Sequence, residues 1–377
     1  MTALPASAAR SVLSVAPMMD LTDRHFRYLA RQLSARALLY SEMITARAIL
    51  HGDTARLLGL SPDEGPVVLQ LGGDDPGELA RATAIAQTFG YAEVNLNVGC
   101  PSERVSTGNF GACLMASPVV VGECLAAMAE ASSLPVSVKH RIGIDDLDSY
   151  EHLLAFVDAV DGASGGVPVA YTVHARKAWL SGLSPKENRT VPPLRYDDVY
   201  RLKRDRAHLN VELNGGVVTL EQALLHLERV DGVMIGRAAY ENPVILGGVD
   251  ALVFGQPAAA TTRADVIAAM VPYLEDHLAS GGRVAAVTRH LLNLFRGQPG
   301  GRAWRRVISE GAHLPGAGPE LLNDALNAVP PDVAHAPLWL PQEQVRAPAA
   351  VTAERSDDPA ADLVTDRGAD VAANLAA

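Results

Sequence analysis

Eight short apolar segments recur along the first two thirds of the chain, at the spacing of roughly 25 to 40 residues that repeated strand–helix units produce. The segments predicted as strands are residues 12–17, 37–41, 66–71, 92–98, 135–140, 169–174, 209–214 and 232–235. Between them, stretches such as residues 76–90 and 118–132 place apolar side chains at helical spacing. Eight such alternations favour an α/β fold, a closed parallel (β/α)8 TIM barrel, over an open doubly wound sheet.

The rest of the chain has a different pattern. Residues 257–262 read as a linker, and residues 263–329 read as helical, with breaks at 281–282, 297–301 and 315–319. Beyond Pro330 the Pro, Ala and Asp content rises and periodicity disappears, which is typical of disorder. The sequence therefore predicts a catalytic barrel over residues 1–255, a small all-helical C-terminal domain over residues 256–330 and a disordered tail over residues 331–377.

Composition restricts the class of protein. A hydrophobic fraction of 48% and a charged fraction of 20% are typical of a soluble globular chain. Three cysteines form neither a disulfide framework nor a zinc-binding pattern, so a reducing cytoplasm without a metal site is expected. No apolar run is long enough for a membrane span. The net charge of −11 taken alone argues against a nucleic-acid partner, but the acidic tail lowers that total.

The fourth predicted strand leads directly into a cysteine. Gly99 permits a sharp turn, Cys100 follows it, and Pro101 fixes the chain direction just after the sulfur. Asn95 and Asn97 are two residues apart and point to one face of the strand. Because barrel enzymes keep their chemistry at the carboxyl ends of the strands, Cys100 is predicted to be reactive.

Two glycine-containing segments end the last two predicted strands. Gly215-Gly216 allows a close backbone approach after strand seven, and Gly236-Arg237 adds amides and a guanidinium after strand eight. Loops at these two positions commonly bind phosphate in TIM barrels. The pattern therefore favours a phosphate-bearing cofactor.

Two further side chains suggest which cofactor. Lys139 lies within an apolar strand, where it either pairs with an acid such as Glu93 or faces the electron-rich ring of a flavin. His174 is either a core histidine or a cofactor contact at the same barrel mouth. The chain lacks a Gly-x-Gly-x-x-Gly motif, so a nicotinamide is expected only as a transient reductant.

Basic residues form two stretches with interleaved aromatic side chains. Residues 283–306 contain six arginines and no acid, and residues 176–206 form a second basic stretch that includes Trp179. A solvated helix face is the ordinary explanation for such a charge run. Together with the aromatic residues, the pattern favours an RNA-binding surface.

Eight motifs with these residues occur in order along the chain. They occupy residues 16–20, 95–102, 111–114, 139–141, 174–189, 214–216, 236–237 and 301–306. Together they resemble the tRNA-dihydrouridine synthases, over residues 12–328. The segments 174–189 and 301–306 resemble the bacterial DusA branch in particular.

This resemblance implies an FMN-bound barrel and a helical domain that grip tRNA between them. The implied reaction reduces the carbon 5–carbon 6 double bond of uridines 20 and 20a in the D-loop, with NADPH as reductant. Hydride would pass from reduced FMN to carbon 6 and a proton from Cys100 to carbon 5. The partner would be the tRNA elbow, with no membrane and no obligate protein partner.

The resemblance also implies roles for individual residues. FMN would be held by Pro17, Met18, Met19, Gln70, Lys139, His174, Asn214, Gly215, Gly216, Gly236 and Arg237. Asn97 would touch the uracil, and the expected tRNA contacts are Lys186, Arg189, Arg302 and Arg305.

Two other functions remain open from the residues. One is an FMN barrel oxidoreductase that acts on a small molecule, similar to dihydroorotate dehydrogenase, although this would not explain the basic residues 283–306. The other is a tRNA-binding folding factor with incidental catalysis. Salt-dependent tRNA binding discriminates against the first, and turnover by a Cys100→Ala variant bears on the second.

Overall fold

The computed structural model describes residues 12–102, 110–257 and 260–339. Its eight strands are β1 (Leu13–Val15), β2 (Leu38–Thr45), β3 (Val67–Gly72), β4 (Glu93–Val98), β5 (Val136–Arg141), β6 (Ala170–His174), β7 (Asn210–Asn214) and β8 (Gly232–Ile235). Each strand pairs in parallel with the next, and β8 pairs with β1 to close the barrel. The predicted (β/α)8 fold is confirmed.

Helices connect the strands and continue after the barrel. Around the barrel they are α1 (Arg24–Leu33), α2 (Ala46–His51), α3 (Thr54–Leu58), α4 (Pro76–Gln87), α5 (Pro118–Glu130), α6 (Tyr150–Ala163), α7 (Tyr196–Asp205), α8 (Leu220–Leu227), α9 (Arg237–Glu241) and α10 (Val249–Leu252). The later helices are α11 (Arg263–Ala279), α12 (Val284–Thr288), α13 (Gly301–Gly311), α14 (Glu320–Asn327) and α15 (Pro331–Ala334). Side-chain caps fix the N-termini of several helices. At the start of α11, for example, the Thr262 hydroxyl accepts a hydrogen bond from Asp265 N.

Strand residues alternate between two environments. Leu13, Val15 and Leu69 face outward into the apolar layer that the strands share with the helices. A small apolar cluster that includes Tyr40 and Met234 forms separately. The polar side chains of the barrel strands are also buried, and Glu212 accepts hydrogen bonds from Ser14 (2.6 Å) and Thr172 (2.5 Å). The barrel strands therefore carry a hydrogen-bonded set of buried polar side chains as well as the apolar core.

The C-terminal helices pack against α1. The Asp23 carboxylate, which caps α1, pairs with Arg289 at 2.5 Å and with His290 at 3.0 Å. His25 Nδ1 lies 2.8 Å from the Tyr273 hydroxyl of α11. Trp304 of α13 is fully buried and donates from Nε1 to Leu291 O at 2.9 Å. The contacts of Asp23 and His25 therefore hold the helices that follow the barrel against α1, and that of Trp304 holds α13 to the segment after α12.

The structure differs from the prediction after Pro330. Residues 331–339 were expected in the disordered tail, but Pro331–Ala334 forms a helix, Val333 is buried and Leu338 N donates to Thr261 O at 2.9 Å. Proline at the first helical turn starts a helix here rather than marking disorder. The rest of the predicted tail, residues 340–377, and residues 1–11 lie outside the described residues. No helix in the described ranges is long and apolar enough to cross a membrane.

Candidate active site

A cavity of about 720 Å³ opens at the carboxyl ends of the barrel strands. It is lined by the last residues of β5, β6 and β7 and by segments that follow β1, β4, β6, β7 and β8. Among the predicted residues it brings together Pro17, Met18, Met19, Cys100, Lys139, His174, Arg189, Asn214, Gly215, Gly216, Gly236 and Arg237. Residues separated by more than two hundred positions therefore share one site, as barrel topology requires.

Gln70 and Asn97 do not line this cavity. Both are buried beside it, and Asn97 Nδ2 donates to Gln70 Oε1 at 2.8 Å. Lys186, Arg302 and Arg305 lie outside the cavity as well, on the exposed surface.

The backbone around Cys100 is held from several directions. Asn97 Oδ1 accepts hydrogen bonds from the amides of Gly99 and Cys100, each at 3.0 Å. The carbonyl of Cys100 accepts from Ala112 N at 2.9 Å. The thiol lies 3.6 Å from the Ser102 hydroxyl. Cys100 thus occupies a fixed turn with its side chain at the cavity, which suits a group that must deliver a proton to one atom.

A chain of buried hydrogen bonds supports this turn from within the barrel. Gln70 Nε2 donates to Asn95 Oδ1 at 2.8 Å, and Asn95 Nδ2 donates to Ser137 Oγ at 2.8 Å. The Ser137 hydroxyl in turn donates to the Glu93 carboxylate. Because Asn97 begins this chain, its amide orientation is fixed by buried partners. The two asparagines of the motif therefore hold the turn in place.

Lys139 reaches the cavity without an acidic partner. Among the described residues no carboxylate lies within ion-pairing distance of its Nζ, and Glu93 is engaged by Ser137 instead. Burial and the neighbouring Arg141 lower the pKa of Lys139 to about 8, although Glu212 and Cys100 act in the opposite direction. Lys139 lines the cavity, whereas Glu93 is joined to Ser137 in the buried chain of hydrogen bonds. A cation held this way suits an electron-rich ligand.

The glycines after β7 are required by close packing. Gly215 has φ +112° and Gly216 has φ +73°. A Cβ on Gly215 would lie 2.5 Å from His174 Cδ2, and one on Gly216 would lie 2.5 Å from the Tyr196 hydroxyl. Burial lowers the pKa of His174 well below its usual value, so this ring is neutral at pH 7. The backbone here lies against a neutral imidazole at the cavity wall.

The end of β8 offers room for a ligand. A Cβ on Gly236 would meet only the Ala16 Cβ, at 4.0 Å, so protein packing does not require glycine there. Arg237 begins α9, is exposed and lines the cavity. A helix start and a guanidinium together suit an anion such as a phosphate. The cavity thus offers a cation at the end of β8 and a second cation at Lys139, the groups that a phosphate-bearing flavin needs.

The structure divides the two basic stretches into paired and unpaired residues. Arg289 pairs with Asp23, and Arg296 pairs with Glu241 at 3.3 Å. Most of the second stretch is also paired with acids, through Lys177, Arg195, Arg201 and Arg206. Within the described chain, exposed cations of the two stretches without an acidic partner are Lys186, Arg189, Arg283, Arg302, Arg305 and Arg306. The predicted tRNA contacts all belong to this unpaired group.

One residue at the site was assigned no role from the sequence. Arg141 lines the cavity, is 4% exposed and donates to the carbonyl of Gly99. The signal was present, because Arg141 lies two positions after Lys139 and so shares its strand face. Its partners, however, are backbone carbonyls distant in sequence, which no motif reveals.

Comparison with known proteins assigns the family. Residues 14–330 match the family model described as Dihydrouridine synthase (Dus). The chain belongs to the dihydrouridine synthase family. This confirms the resemblance and places the chain among enzymes, the flavin-dependent oxidoreductases of that family.

Relatives named tRNA-dihydrouridine(20/20a) synthase align with most of this chain. A tRNA-dihydrouridine(20/20a) synthase of Synechocystis sp. is 58% identical over 328 residues, 87% of this chain and 97% of that protein. Proteins of the same name from Shewanella oneidensis and Vibrio parahaemolyticus are 55% and 53% identical, over 85% of this chain and 94% and 98% of their own lengths. A solved complex of 2-naphthoyl-CoA reductase is 10% identical, with a TM-score of 0.47 over 65% of this chain and 50% of that chain.

Proposed function

We propose that this protein reduces uridines 20 and 20a of the tRNA D-loop to 5,6-dihydrouridine, with FMN as cofactor and NADPH as reductant. The observation that carries the proposal is a fixed cysteine and a lysine that line one cavity, Cys100 and Lys139. The names of the relatives at 53–58% identity support the substrate and the two positions.

The cofactor assignment rests on the fit of the cavity. Lys139 and His174 would contact the ring, and Gly215, Gly216 and Arg237 would hold the phosphate end. Pro17, Met18, Met19, Asn214 and Gly236 complete the same wall. Bound FMN would supply the hydride that carbon 6 of the uracil accepts, after reduction by NADPH. A cationic Lys139 would favour the electron-rich reduced ring.

Cys100 has the proton-donating role. Saturation of the ring needs a proton at carbon 5 on the face opposite the hydride, and a neutral thiol supplies it. Asn97 fixes the position of Cys100 through two amide hydrogen bonds of 3.0 Å. We propose that Gln70 acts by orienting Asn97, whose amide donates to Gln70 Oε1 at 2.8 Å.

The substrate would bind across the barrel mouth. A uridine inside the folded elbow must leave its stack to reach the cavity, and phosphate contacts would hold the tRNA while it does so. Lys186 and Arg189 supply cations on the loop after β6, and Arg302 and Arg305 supply them on α13. We propose a cytoplasmic location, because the proposed substrate is tRNA.

A cysteine exchange tests the proton donor. Cys100→Ala is expected to retain FMN and bind tRNA with unchanged affinity, while dihydrouridine formation falls by about 10²-fold or more. Cys113→Ala is the matched control, because Cys113 lies outside the cavity and its thiol contacts Phe110 O. Full turnover by Cys100→Ala would remove the proposed donor, and equal losses in both variants would indicate a structural effect.

A further inference from the structure

We propose that Arg141 is a positioning residue that joins the Cys100 turn to the tRNA-facing loop after β6, so that docking of the tRNA backbone sets the position of the proton donor. The proposal rests on the proposed function above. Arg141 sits at the end of β5, between the two segments that it would connect.

The first end of the connection lies next to Cys100. Arg141 Nε donates to Gly99 O at 2.8 Å. The N–H groups of Gly99 and Cys100 donate instead to Asn97 Oδ1. The turn is thus held through its carbonyl by a guanidinium and through its N–H groups by an amide. Loss of either support would leave the Cys100 backbone free to move on one side.

The second end lies in the loop after β6. Arg141 Nη1 donates to the carbonyls of Lys177 and Asn188, each at 3.0 Å. A single planar group therefore bridges two segments that are more than seventy positions apart. Lysine could not reproduce this, because its ammonium lacks the fixed fork of a guanidinium.

Asn188 gives the loop a defined shape around that contact. Its Oδ1 accepts from Trp179 N at 2.8 Å, and its Nδ2 donates to Trp179 O at 3.0 Å and Leu183 O at 3.2 Å. Asn188 is fully buried, whereas Lys186 and Arg189 on either side of it are exposed. The residues proposed to grip phosphate are therefore anchored through Asn188 to Arg141.

The charge of Arg141 is not explained by an ion pair. No carboxylate of the described residues lies within ion-pairing distance, and the three named acceptors are all main-chain carbonyls. Burial lowers the pKa of Arg141 to about 10, so the group stays charged at neutral pH. Burying a charged arginine costs free energy. The contacts of Arg141 offset part of that cost and hold two segments of the chain together beside the Cys100 thiol.

Single-turnover kinetics test the connection. Holoenzyme is first reduced with NADPH and then mixed with saturating tRNA lacking dihydrouridine, and flavin reoxidation is followed by absorbance. Arg141→Lys and Asn188→Ala are each expected to slow reoxidation about tenfold, the scale of a small misplacement of a reacting group. The NADPH reduction rate is expected to stay within about twofold, since it does not depend on the Cys100 turn. Arg201→Lys, on the ion-paired surface of α7, is the matched control.

Two further measurements separate positioning from a general structural role. In the double variant, Arg141→Lys with Asn188→Ala, the rate of flavin reoxidation is expected to fall no further than in the slower of the two single variants, because linked residues act as a unit. Hydrogen exchange of the tRNA-free holoenzyme is expected to quicken in residues 96–101 and 177–189 of Arg141→Lys, but not in residues 232–237. Additive losses, or unchanged exchange and reoxidation, would overturn the proposal. If the proposed function itself were wrong, tRNA would not reoxidise the reduced flavin of the wild-type protein.

Discussion

Replacing Lys139 with methionine is expected to stabilise the FMN-free fold while weakening the retention of FMN. The Lys139 ammonium is enclosed at the cavity without a described acidic partner within ion-pairing distance. Methionine has a similar length and no charge, so it removes the cost of enclosing a cation. It also removes the cation that the ring of the cofactor would face.

The pKa of Lys139 sets the magnitude. A folded-state pKa of about 8, against an ordinary value of 10.5, corresponds to about 3 kcal/mol of penalty on the charged form. Water at the open cavity mouth reduces this, so a gain of about 2 kcal/mol in the free energy of unfolding is expected at pH 7. Because the folded pKa is depressed, wild-type protein recovers this stability as the pH rises from about 8 towards 10.5. The advantage of the variant should therefore shrink over that range.

Urea denaturation of both proteins at pH 7 and pH 9.5, with and without FMN, measures these effects. Added FMN should raise the unfolding midpoint of the wild-type protein more than that of Lys139→Met. Lys186→Met serves as the control for an exposed lysine and should change stability by less than about 0.5 kcal/mol at either pH. A variant that is less stable than wild type at pH 7, or a difference independent of pH, would refute the reasoning.

Three other substitutions test the proposed RNA surface and the contact between α1 and the later helices. Arg302→Ala and Arg305→Ala should each weaken tRNA binding and lower the slope of log affinity against log salt concentration by about 1, as measured by filter binding. An unchanged slope would show that these residues do not contact the tRNA backbone. Asp23→Asn should cost about 1–3 kcal/mol at pH 7, because it unpairs Arg289 and His290. Burial opposes ionisation of Asp23, but hydrogen bonds from His290 and Arg289 hold its pKa well below the usual range. The cost should therefore fade as the pH drops below 3.8, where wild type loses the same stabilisation; a cost that persists in acid unfolding curves would contradict this assignment.

The barrel could be predicted from the sequence because its strands are short, continuous apolar runs. The predicted strand 232–235 coincides with β8, since a strand buried on both faces needs no alternation. Strand β2 extends to Thr45, four residues beyond the prediction, because the register shifts between Tyr40 and Met43 and the polar residues there remain in the strand. Irregular pairing of this kind depends on the neighbouring strand and leaves no signal in the segment itself.

The candidate site was predictable to the extent that barrel topology determines it. Strand ends converge in a closed barrel, so Cys100, Lys139 and His174 could be placed together from their positions in the chain. The hydrogen-bond partners of Asn97 and Arg141 could not be predicted, because both involve residues distant in sequence. The pairing of Arg289 with Asp23 is also a long-range contact, so a count of arginines overstated the free positive charge.

The most direct test of the central claim is a map of dihydrouridine in tRNA treated with the purified protein. Bulk tRNA from a strain that lacks dihydrouridine would be incubated with the protein, FMN and NADPH, and then sequenced by mass spectrometry. We predict an increase of two mass units at uridines 20 and 20a, and no increase with Cys100→Ala. Dihydrouridine at another position of the D-loop would contradict the assigned specificity. An FMN-bound protein that NADPH reduces but that modifies no tRNA would contradict the proposed function.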